Sequence, residues 1–298
     1  MTDTLAVTAL EARIRHHYER LSDAERKLAG VVLARQRDLP GYSATELAGL
    51  AGTSKSTAAR FFRRLGYADY DEFRQAVRAL QAQQSPLARM GQPRRKDALA
   101  AQFQAHLRND ALRLQAWAEA LPDAPHEAQL EAALALLHRA RKVWVVGYRH
   151  SYVTAFYAQS LLGQVRAGVS GLNDAAGREA ELLAGACDRD VVLAVDFRRR
   201  SARLPRTLAA ARASGARVLV LTDAPVSSLA LQAQVVLRCG TTQQQPQQQG
   251  LFDSYACAVS AVNFLAAALA QRQRGGTHAR LERIERLHAA MDDLEPQV

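Results

Sequence analysis

The chain has 298 residues, of which 48% are hydrophobic and 23% are charged, and its formal net charge is +10 at pH 7. This composition is typical of a globular protein, and the length exceeds that of one ordinary domain. Residues 1–96 contain 17 Lys and Arg against 10 Asp and Glu, so +7 of the net charge lies in the first third. Such an excess favours a polyanionic partner, either nucleic acid or an anionic membrane.

Three features argue against a secreted or membrane-spanning protein. The three cysteines are odd in number and lack metal-site spacing, so neither a disulfide framework nor a zinc site is predicted. The N-terminal segment has no cationic stretch before a long apolar core, unlike a secretory signal. The most apolar run, 256–270, is interrupted by polar residues and is shorter than the ~20 residues that a bilayer requires. We expect a cytoplasmic protein with reduced cysteines, no metal, no cofactor and no membrane partner.

The N-terminal segment contains repeated helix-start signals. Ser22 with Glu25, and Ser43 with Glu46, have the capping-box form, in which a serine oxygen and a glutamate three residues later satisfy unpaired backbone N–H groups. Together with the apolar spacing, these signals predict helices near 23–36, 44–51, 54–65 and 70–82. We therefore expect an all-helical domain over residues 1–82, a size that can fold on its own.

The segment 44–65 has the pattern of a helix-turn-helix. Gly52 suits the sharp turn between two short helices, and Ser54 is placed to cap the second. The second helix has an apolar stripe at i, i+3, i+4 and i+7, formed by Ala58, Phe61, Phe62 and Leu65.

The opposite face of this second helix is cationic or neutral, because no acid occurs between Glu46 and Asp69. That is the layout of a recognition helix that enters a DNA major groove. We expect Arg60 and Ser56 to reach base edges. The predicted DNA-binding set is Ser54, Lys55, Ser56, Thr57, Arg60, Arg63 and Arg64, with Lys55, Arg63 and Arg64 on phosphates.

The composition changes between residues 83 and 98, which we interpret as an inter-domain linker. Two prolines, a glycine and the cationic run at 94–96 disfavour a continuous helix here. The cationic run is either solvated or a phosphate contact. Amphipathic helices are predicted over 99–121 and 127–141.

From residue 143, short apolar runs alternate with helical segments. The predicted strands are 143–147, 190–197, 217–223 and 234–239, and the predicted helices are 152–165, 178–186, 203–214, 252–270 and 279–294. This alternation predicts βαβ units and a parallel sheet covered on both faces. The fold class is thus an all-α N-terminal helix-turn-helix bundle followed by an α/β domain over 99–298, with a parallel sheet flanked by helices and a core near 127–271.

Two loops are candidate ligand sites, because ligands of an open parallel sheet bind beyond the carboxyl ends of its strands. The first opens a helix whose N–H groups suit a phosphate or carboxylate, and it consists of Gly147, Tyr148, Arg149, His150 and Ser151. The second has a positive local field and contains Asp196, Arg198, Arg199, Arg200 and Ser201. Ordinary turn chemistry, a dimer contact, or pairing of Asp196 with one arginine are the alternatives.

Residues 21–77 resemble the N-terminal helix-turn-helix domain of the RpiR (MurR/RpiR) transcriptional regulators nearly end to end. The matching positions are Ser22, Glu25, Leu47, Ala48, Gly52, Ser54, Thr57, Arg60, Phe61, Leu65, Gly66 and Phe73. The second half resembles the sugar isomerase (SIS) domain with which these regulators sense phosphosugars. It matches in strand order and at Gly215-Ala216, Leu221-Thr222, Ser228-Leu229-Ala230 and Ser254.

The ligand loops depart from the family pattern. Arg149 stands where a second glycine is common. In the serine-rich phosphate cradle, Asp196 and Arg198 replace two serines, Arg199 replaces a glycine, and only Ser201 keeps a hydroxyl. An aspartate would repel a phosphate, whereas the arginines would attract one.

The resemblance implies a transcriptional regulator that binds a palindromic DNA operator as a homodimer or homotetramer. Its SIS domain would bind a small anionic metabolite, such as a phosphosugar, that alters DNA affinity. Two alternatives remain: a sugar-phosphate isomerase with a fused helical domain, and a regulator whose SIS domain serves only for assembly. We predict no catalytic residues, because isomerisation requires a poised base with a partner acid, and no spacing unites the candidates Glu179, Glu181, His150 and His278.

Overall fold

A computed structural model describes most of the chain. The described residues are 13–14, 17–34, 39, 42–83, 90, 98–121, 124–172, 177–197, 200–224, 229, 232–240, 252 and 254–293, without the side chains of 34, 78–83 and 124–125. The chain divides into two compact units. One contains Met1–Asn109 with Ala224–Leu231 and Thr242–Ser254, and the other contains Asp110–Asp223, Gln232–Thr241 and Tyr255–Val298. The predicted linker lies mostly outside the described residues.

The first unit is helical. After a short 3₁₀ turn at Tyr18–Arg20, its helices are α1 (Asp23–Ala34), α2 (Ala44–Leu50), α3 (Lys55–Arg64) and α4 (Tyr70–Gln83). Both predicted capping boxes are present: the Ser22 N–H donates to Glu25 at 2.8 Å, and the Ser43 N–H donates to Glu46 at 2.7 Å. The core of this unit includes the fully buried rings of Phe61, Phe62 and Phe73.

The turn between α2 and α3 depends on Gly52, whose φ of 62° lies in the left-handed region. A residue with a side chain would be strained in this backbone conformation, which explains why the position is glycine. The turn brings α2 and α3 together as the two helices of a helix-turn-helix.

The second unit is built around a five-stranded sheet. In chain order the remaining elements are α5 (Leu99–Ala120, of which residues 99–109 belong to the first unit), α6 (Ala124–Arg139), β1 (Val143–Gly147), α7 (Ser151–Val165), β2 (Val169–Gly171), α8 (Glu179–Ala184), β3 (Val191–Asp196), α9 (Arg203–Ala213), β4 (Arg217–Thr222), β5 (Val235–Arg238), α10 (Ala256–Arg272) and α11 (Arg274–Met291). The strand order is β2-β1-β3-β4-β5, and all neighbours are parallel.

The register aligns Val145 of β1 with Leu193 of β3, which in turn aligns with Leu219 of β4. Every residue of β1 and β3 is buried, as is typical of a parallel sheet covered on both faces. The predicted fold class, an all-α helix-turn-helix bundle followed by a parallel α/β domain, is confirmed. None of the described helices combines the length and the apolar composition that crossing a bilayer requires.

Three details differ from the sequence-based elements. The strand β2 was not predicted, because its three residues, Val-Ser-Gly, show no periodicity. The helix α6 begins at Ala124 and not at residue 127, since a proline is tolerated in the first turn of a helix. The last two helices occupy Ala256–Arg272 and Arg274–Met291.

Candidate functional sites

The start of α3 is held by a hydroxyl cluster. The Ser54 Oγ atom accepts the Thr57 N–H at 3.1 Å and lies 2.9 Å from the Thr57 hydroxyl. It also lies 2.8 Å from the hydroxyl of Ser56. Ser54 is therefore the N-cap that the sequence predicts, while the Thr57 side chain is buried and points into the unit.

The two faces of α3 differ sharply in polarity. Ala58, Phe61 and Phe62 are fully buried against the helical core. The opposite face is exposed and carries Lys55, Ser56, Ala59, Arg60 and Arg63. The Arg63 Nε–H donates to the carbonyl of Ala59 at 3.3 Å, so this guanidinium lies along the helix surface. The exposed face is thus cationic and free of carboxylates along its length.

Arg64 is placed differently from the other cations. Its guanidinium donates to the Glu25 carboxylate at 2.9 Å and to the Arg20 carbonyl at 2.6 Å. The Glu25 carboxylate is buried and also accepts the N–H and hydroxyl of Ser22. The sequence predicts Arg64 on a DNA phosphate, but this geometry favours a structural role, because Arg64 ties the end of α3 to the start of α1.

The two predicted ligand loops lie together at one edge of the sheet. In the sheet, β2 lies on one side of β1 and β3 lies on the other side. The connections that follow β1 and β3 therefore run in opposite directions, which makes the carboxyl ends of these two strands a topological switch point. The Phe197 N–H, after β3, donates to the Ser151 hydroxyl, after β1, at 3.1 Å. Both residues are buried. Ser151 thus joins the loops directly.

Gly147 allows helix α7 to approach strand β1. A Cβ atom at this position would lie 2.5 Å from the Ser151 carbonyl oxygen and 3.0 Å from the Ala155 Cβ. Only glycine avoids this clash with the backbone. The structure therefore gives Gly147 a packing role at the edge of the site.

Arg149 and His150 are exposed at the start of α7. Arg149 has a φ of 59°, in the left-handed region that favours glycine. This conformation accounts for the glycine that is common here in the family that the sequence resembles. Both side chains, the Arg149 guanidinium and the His150 imidazole, thus lie on the surface just before α7.

The loop after β3 holds an arginine between two carboxylates. The Arg200 Nε–H donates to Asp196 at 3.0 Å, and its terminal nitrogen contacts Asp223 after β4. The Asp196 carbonyl accepts the Thr222 hydroxyl at 2.7 Å. The predicted pairing of Asp196 with an arginine is therefore present, and it partly cancels the positive field expected of this loop. Arg198 and Arg199 lie outside the described residues.

Ser201 occupies the start of α9. Its Oγ atom accepts the Arg203 N–H at 3.2 Å, which is a local turn contact. Ser201 is partly exposed.

A polar cluster beside the switch point was only partly predicted. The Tyr148 hydroxyl donates to Glu179 at 3.1 Å and lies 2.9 Å from the Thr207 hydroxyl. Arg203 donates to the same Glu179 oxygen at 3.1 Å, and its guanidinium lies 5.0 Å from the centre of the Tyr148 ring. Burial, which is the largest contribution, raises the pKa of Tyr148, so the phenol stays neutral. The i, i+4 spacing of Arg203 and Thr207 on α9 was the available sequence signal.

The four candidate catalytic side chains are dispersed among different surroundings. Glu179 belongs to the polar cluster, Glu181 is exposed on α8, and His150 is exposed at the start of α7. His278 lies on α11, where its Nδ1 is 3.6 Å from Glu282. The arrangement resembles a binding surface more than an acid–base pair.

The fold is that of a helix-turn-helix domain followed by a parallel α/β domain. A family model described as the helix-turn-helix domain, rpiR family, matches residues 8–84, and the SIS domain model matches residues 136–268. The chain therefore combines an N-terminal helix-turn-helix domain of the rpiR family with a SIS domain.

Two solved structures have the same fold. The Vibrio vulnificus NanR protein complexed with ManNAc-6P is 19% identical, with a TM-score of 0.57 over 95% of this chain and 98% of that chain. The sugar isomerase domain of an RpiR transcription factor from Sphaerobacter thermophilus is 25% identical, with a TM-score of 0.52 over 64% of this chain and 99% of that chain. No match is found among the curated proteins.

Proposed function

We propose that this protein binds a palindromic DNA operator through α3, and that a small anionic metabolite at the β1–β3 edge of the SIS domain modulates this binding. The observation that carries the proposal is the exposed, carboxylate-free face of α3, with Lys55, Arg60 and Arg63 on one surface. A DNA major groove admits such a helix, and its phosphates attract the cations.

The geometry of α3 supports different roles for its exposed and its buried side chains. Ser56 and Arg60 are exposed one turn apart on the same face, which suits contacts to base edges. Lys55 and Arg63 lie toward the two ends of that face and suit phosphates on either side of the groove. Ser54 caps the helix start, the Thr57 side chain is buried beneath the helix, and Arg64 supports the end of the helix through its ion pair with the buried Glu25.

The proposed DNA-bound form is a symmetric dimer, because a palindrome contains two equivalent half-sites and each copy of the chain would bind one of them. Recognition helices of a symmetric dimer lie about 34 Å apart, or a multiple of that distance. Selection of genomic fragments by the purified full chain, followed by footprinting, tests this. We expect protected half-sites related by a two-fold axis, and protection without sequence preference would contradict the proposal.

The effector would bind where α7 begins. The side chains of Arg149, His150 and the nearby Arg203 offer hydrogen bonds to an anion there, whereas the Tyr152 and Val153 N–H groups already donate to the carbonyls of Arg149 and His150. The hydroxyls of Tyr148 and Thr207 offer partners for ligand hydroxyl groups. The Asp196–Arg200–Asp223 cluster restricts the anion to the α7 side of the crevice, because two carboxylates already compensate Arg200.

Calorimetric titration of the full chain tests the effector. The probes are ManNAc-6P, which the fold neighbour from Vibrio vulnificus binds, other phosphosugars, inorganic phosphate and the matched unphosphorylated sugars. We expect heat from at least one phosphorylated sugar and none from its unphosphorylated partner, and loss of that heat in Arg149→Ala. Absence of heat from every probe would support a SIS domain that serves only for assembly.

Binding without turnover is the proposed role of this domain. Glu179, the carboxylate nearest the crevice among the candidates, is engaged by both Tyr148 and Arg203. Incubation of each bound phosphosugar with the protein should therefore leave it unchanged. Conversion that disappears in Glu179→Gln would favour an isomerase instead.

A further inference from the structure

Arg203 is a cation at a position that helix stability does not favour. It is the first residue of α9, where the helix dipole opposes positive charge. Its side chain is 64% exposed, and its guanidinium lies 5.0 Å from the centre of the Tyr148 ring. Tyr148 directly precedes Arg149 and His150 in the chain, so Arg203 lies close to the position proposed for the anion. These features indicate a role for Arg203 in ligand binding.

A carboxylate of the chain already binds this cation. The Arg203 Nη2 atom donates to the Glu179 Oε1 atom at 3.1 Å, and the Tyr148 hydroxyl donates to the same oxygen at 3.1 Å. The Glu179 side chain is only 14% exposed, so this ion pair is partly shielded from water and stronger than a fully exposed one. An anionic ligand therefore gains the full attraction of Arg203 only when it replaces Glu179.

We propose that Glu179 is a specificity-determining residue that competes with the effector for Arg203, so that a phosphate displaces it and a carboxylate does not. A free carboxylate offers Arg203 the same charge and hydrogen bonds as Glu179. It would also lose translational freedom, which Glu179 has already lost as part of the chain. A phosphate monoester carries a charge of about −1.5 to −2 at pH 7 and three acceptor oxygens, so it gains more from the arginine. This inference rests on the proposed function, because it concerns the anionic group of the same effector.

The exchange leaves Glu179 with a hydrogen-bond partner. The Tyr148 hydroxyl donates to Glu179 independently of Arg203. Burial raises the pKa of Tyr148, so the phenol keeps the proton that it donates. The release of Arg203 therefore costs less than it would for a buried carboxylate without any donor.

The loop after β3 offers no equivalent position. Arg200 contacts both Asp196 and Asp223, so two carboxylates surround one guanidinium. A phosphate beside Arg200 would face this excess of negative charge, whereas beside Arg203 it would replace a single carboxylate. Displacement by a phosphate is thus favoured at Arg203 over Arg200.

Two small anions without a sugar test the role of Glu179 directly. Inorganic phosphate and acetate are titrated into the full chain at slightly alkaline pH, and NMR follows the Arg203 Nε–H signal, which is assigned by its loss in Arg203→Lys. In the unmodified protein, phosphate should shift this signal, and acetate at the same concentration should not. In Glu179→Gln both anions should shift it. The phosphate midpoint should fall about fivefold, which is the upper end expected for one partly exposed ion pair.

Glu181→Gln is the matched control. Glu181 lies two residues further along α8 and is exposed, so the variant removes the same charge from the same helix and should respond like the unmodified protein. Glu179→Asp is a second test that keeps the charge. Its side chain is one methylene shorter and reaches Arg203 less well, so acetate should shift the signal in this variant too, with a weaker response than in Glu179→Gln.

Every outcome of the titrations decides for or against the competition. An acetate shift in the unmodified protein, or its absence in both Glu179 variants, would overturn the inference. An Arg203 signal that phosphate leaves in place, or an equal gain in phosphate affinity in Glu181→Gln, would do the same. The proposed function fails by a different result, since it is refuted when no phosphosugar changes operator binding, whatever the two small anions do at Arg203.

Discussion

Arg64 donates a hydrogen bond to the buried Glu25 carboxylate at 2.9 Å, across 39 positions of sequence. This contact ties the last turn of α3 to the first turn of α1. It separates two neighbouring arginines by role, because Arg63 lies on the exposed face of the same turn. Arg64 therefore supports the helix, whereas the Arg63 side chain lies on the surface.

Replacing Arg64 with methionine should therefore lower stability. The buried Glu25 carboxylate would lose its charged partner while keeping the Ser22 hydrogen bonds, which should reduce the free energy of unfolding of the helical unit by about 1–3 kcal/mol. Urea denaturation followed by circular dichroism measures this. In the control Arg63→Met, stability should stay within ~0.5 kcal/mol, because that side chain is exposed. Equal losses in both variants would contradict the separation of roles.

The same two variants should differ in DNA binding. Arg63→Met should weaken binding to all sequences alike and reduce the dependence of log affinity on log salt by ~1, as is expected when one phosphate contact is lost. Folded Arg64→Met should keep the salt dependence of the unmodified protein. Fluorescence anisotropy at several salt concentrations provides the measurement, and an unchanged slope in Arg63→Met would remove Arg63 from the phosphate set.

Two glycines near α7 should respond in opposite directions to alanine. In Gly147→Ala the new methyl group would meet the Ser151 carbonyl at 2.5 Å, which should cost about 1–3 kcal/mol of stability or more. Gly163, in the interior of α7, has open space around its Cβ position. Gly163→Ala should stabilise by roughly 0.5–1 kcal/mol through reduced backbone entropy of the unfolded chain. Thermal unfolding measures both, and a tolerated Gly147→Ala would refute the close packing of α7 on β1.

The ion pair between Arg141 and Asp190 should make the α/β unit sensitive to acid. Although burial opposes ionisation of Asp190, hydrogen bonds from Arg141 and from the Cys187 N–H hold its pKa below the ordinary value. A lowered pKa contributes stability above the unfolded value, and this contribution is lost as the pH falls below about 4. We expect the midpoint of urea unfolding to fall over that range.

Arg141→Met tests the source of this acid sensitivity. The variant leaves the fully buried Asp190 carboxylate without its cation, so it should lose roughly 3 kcal/mol at neutral pH and show a smaller further loss in acid. Arg189→Met, at an exposed neighbouring position, is the control and should follow the pH profile of the unmodified protein. Parallel acid profiles for Arg141→Met and the unmodified chain would assign the sensitivity to other groups.

Local sequence signals predicted much of the fold because they act over short distances. The capping boxes at Ser22 and Ser43 set helix starts, and the all-apolar runs of β1 and β3 set central strands. The strand β2 escaped prediction because its three residues owe their conformation to pairing with β1. A strand of three residues is too short to show the alternation of apolar and polar residues from which strands are predicted.

Long-range contacts explain where the site predictions required revision. The helical spacing of α3 places Arg64 beside the exposed face, but its partner Glu25 comes from another helix. The compensation of Arg200 by Asp223 likewise depends on the adjacency of β3 and β4. The Tyr148 cluster draws Thr207 from α9, 59 positions away. Sequence spacing predicted the loops, whereas the charge balance within them depends on strand order.

The most direct test of the account is the affinity of Arg60→Ala for a selected operator and for the same fragment with its half-sites scrambled. We predict that this variant loses about 1–3 kcal/mol on the operator and little on the scrambled fragment, so that sequence preference falls with affinity. Ala59→Gly, on the same exposed face but without a polar group to lose, controls for helix stability. An Arg60→Ala protein that kept both operator affinity and sequence preference would contradict the assignment of α3 as the recognition helix.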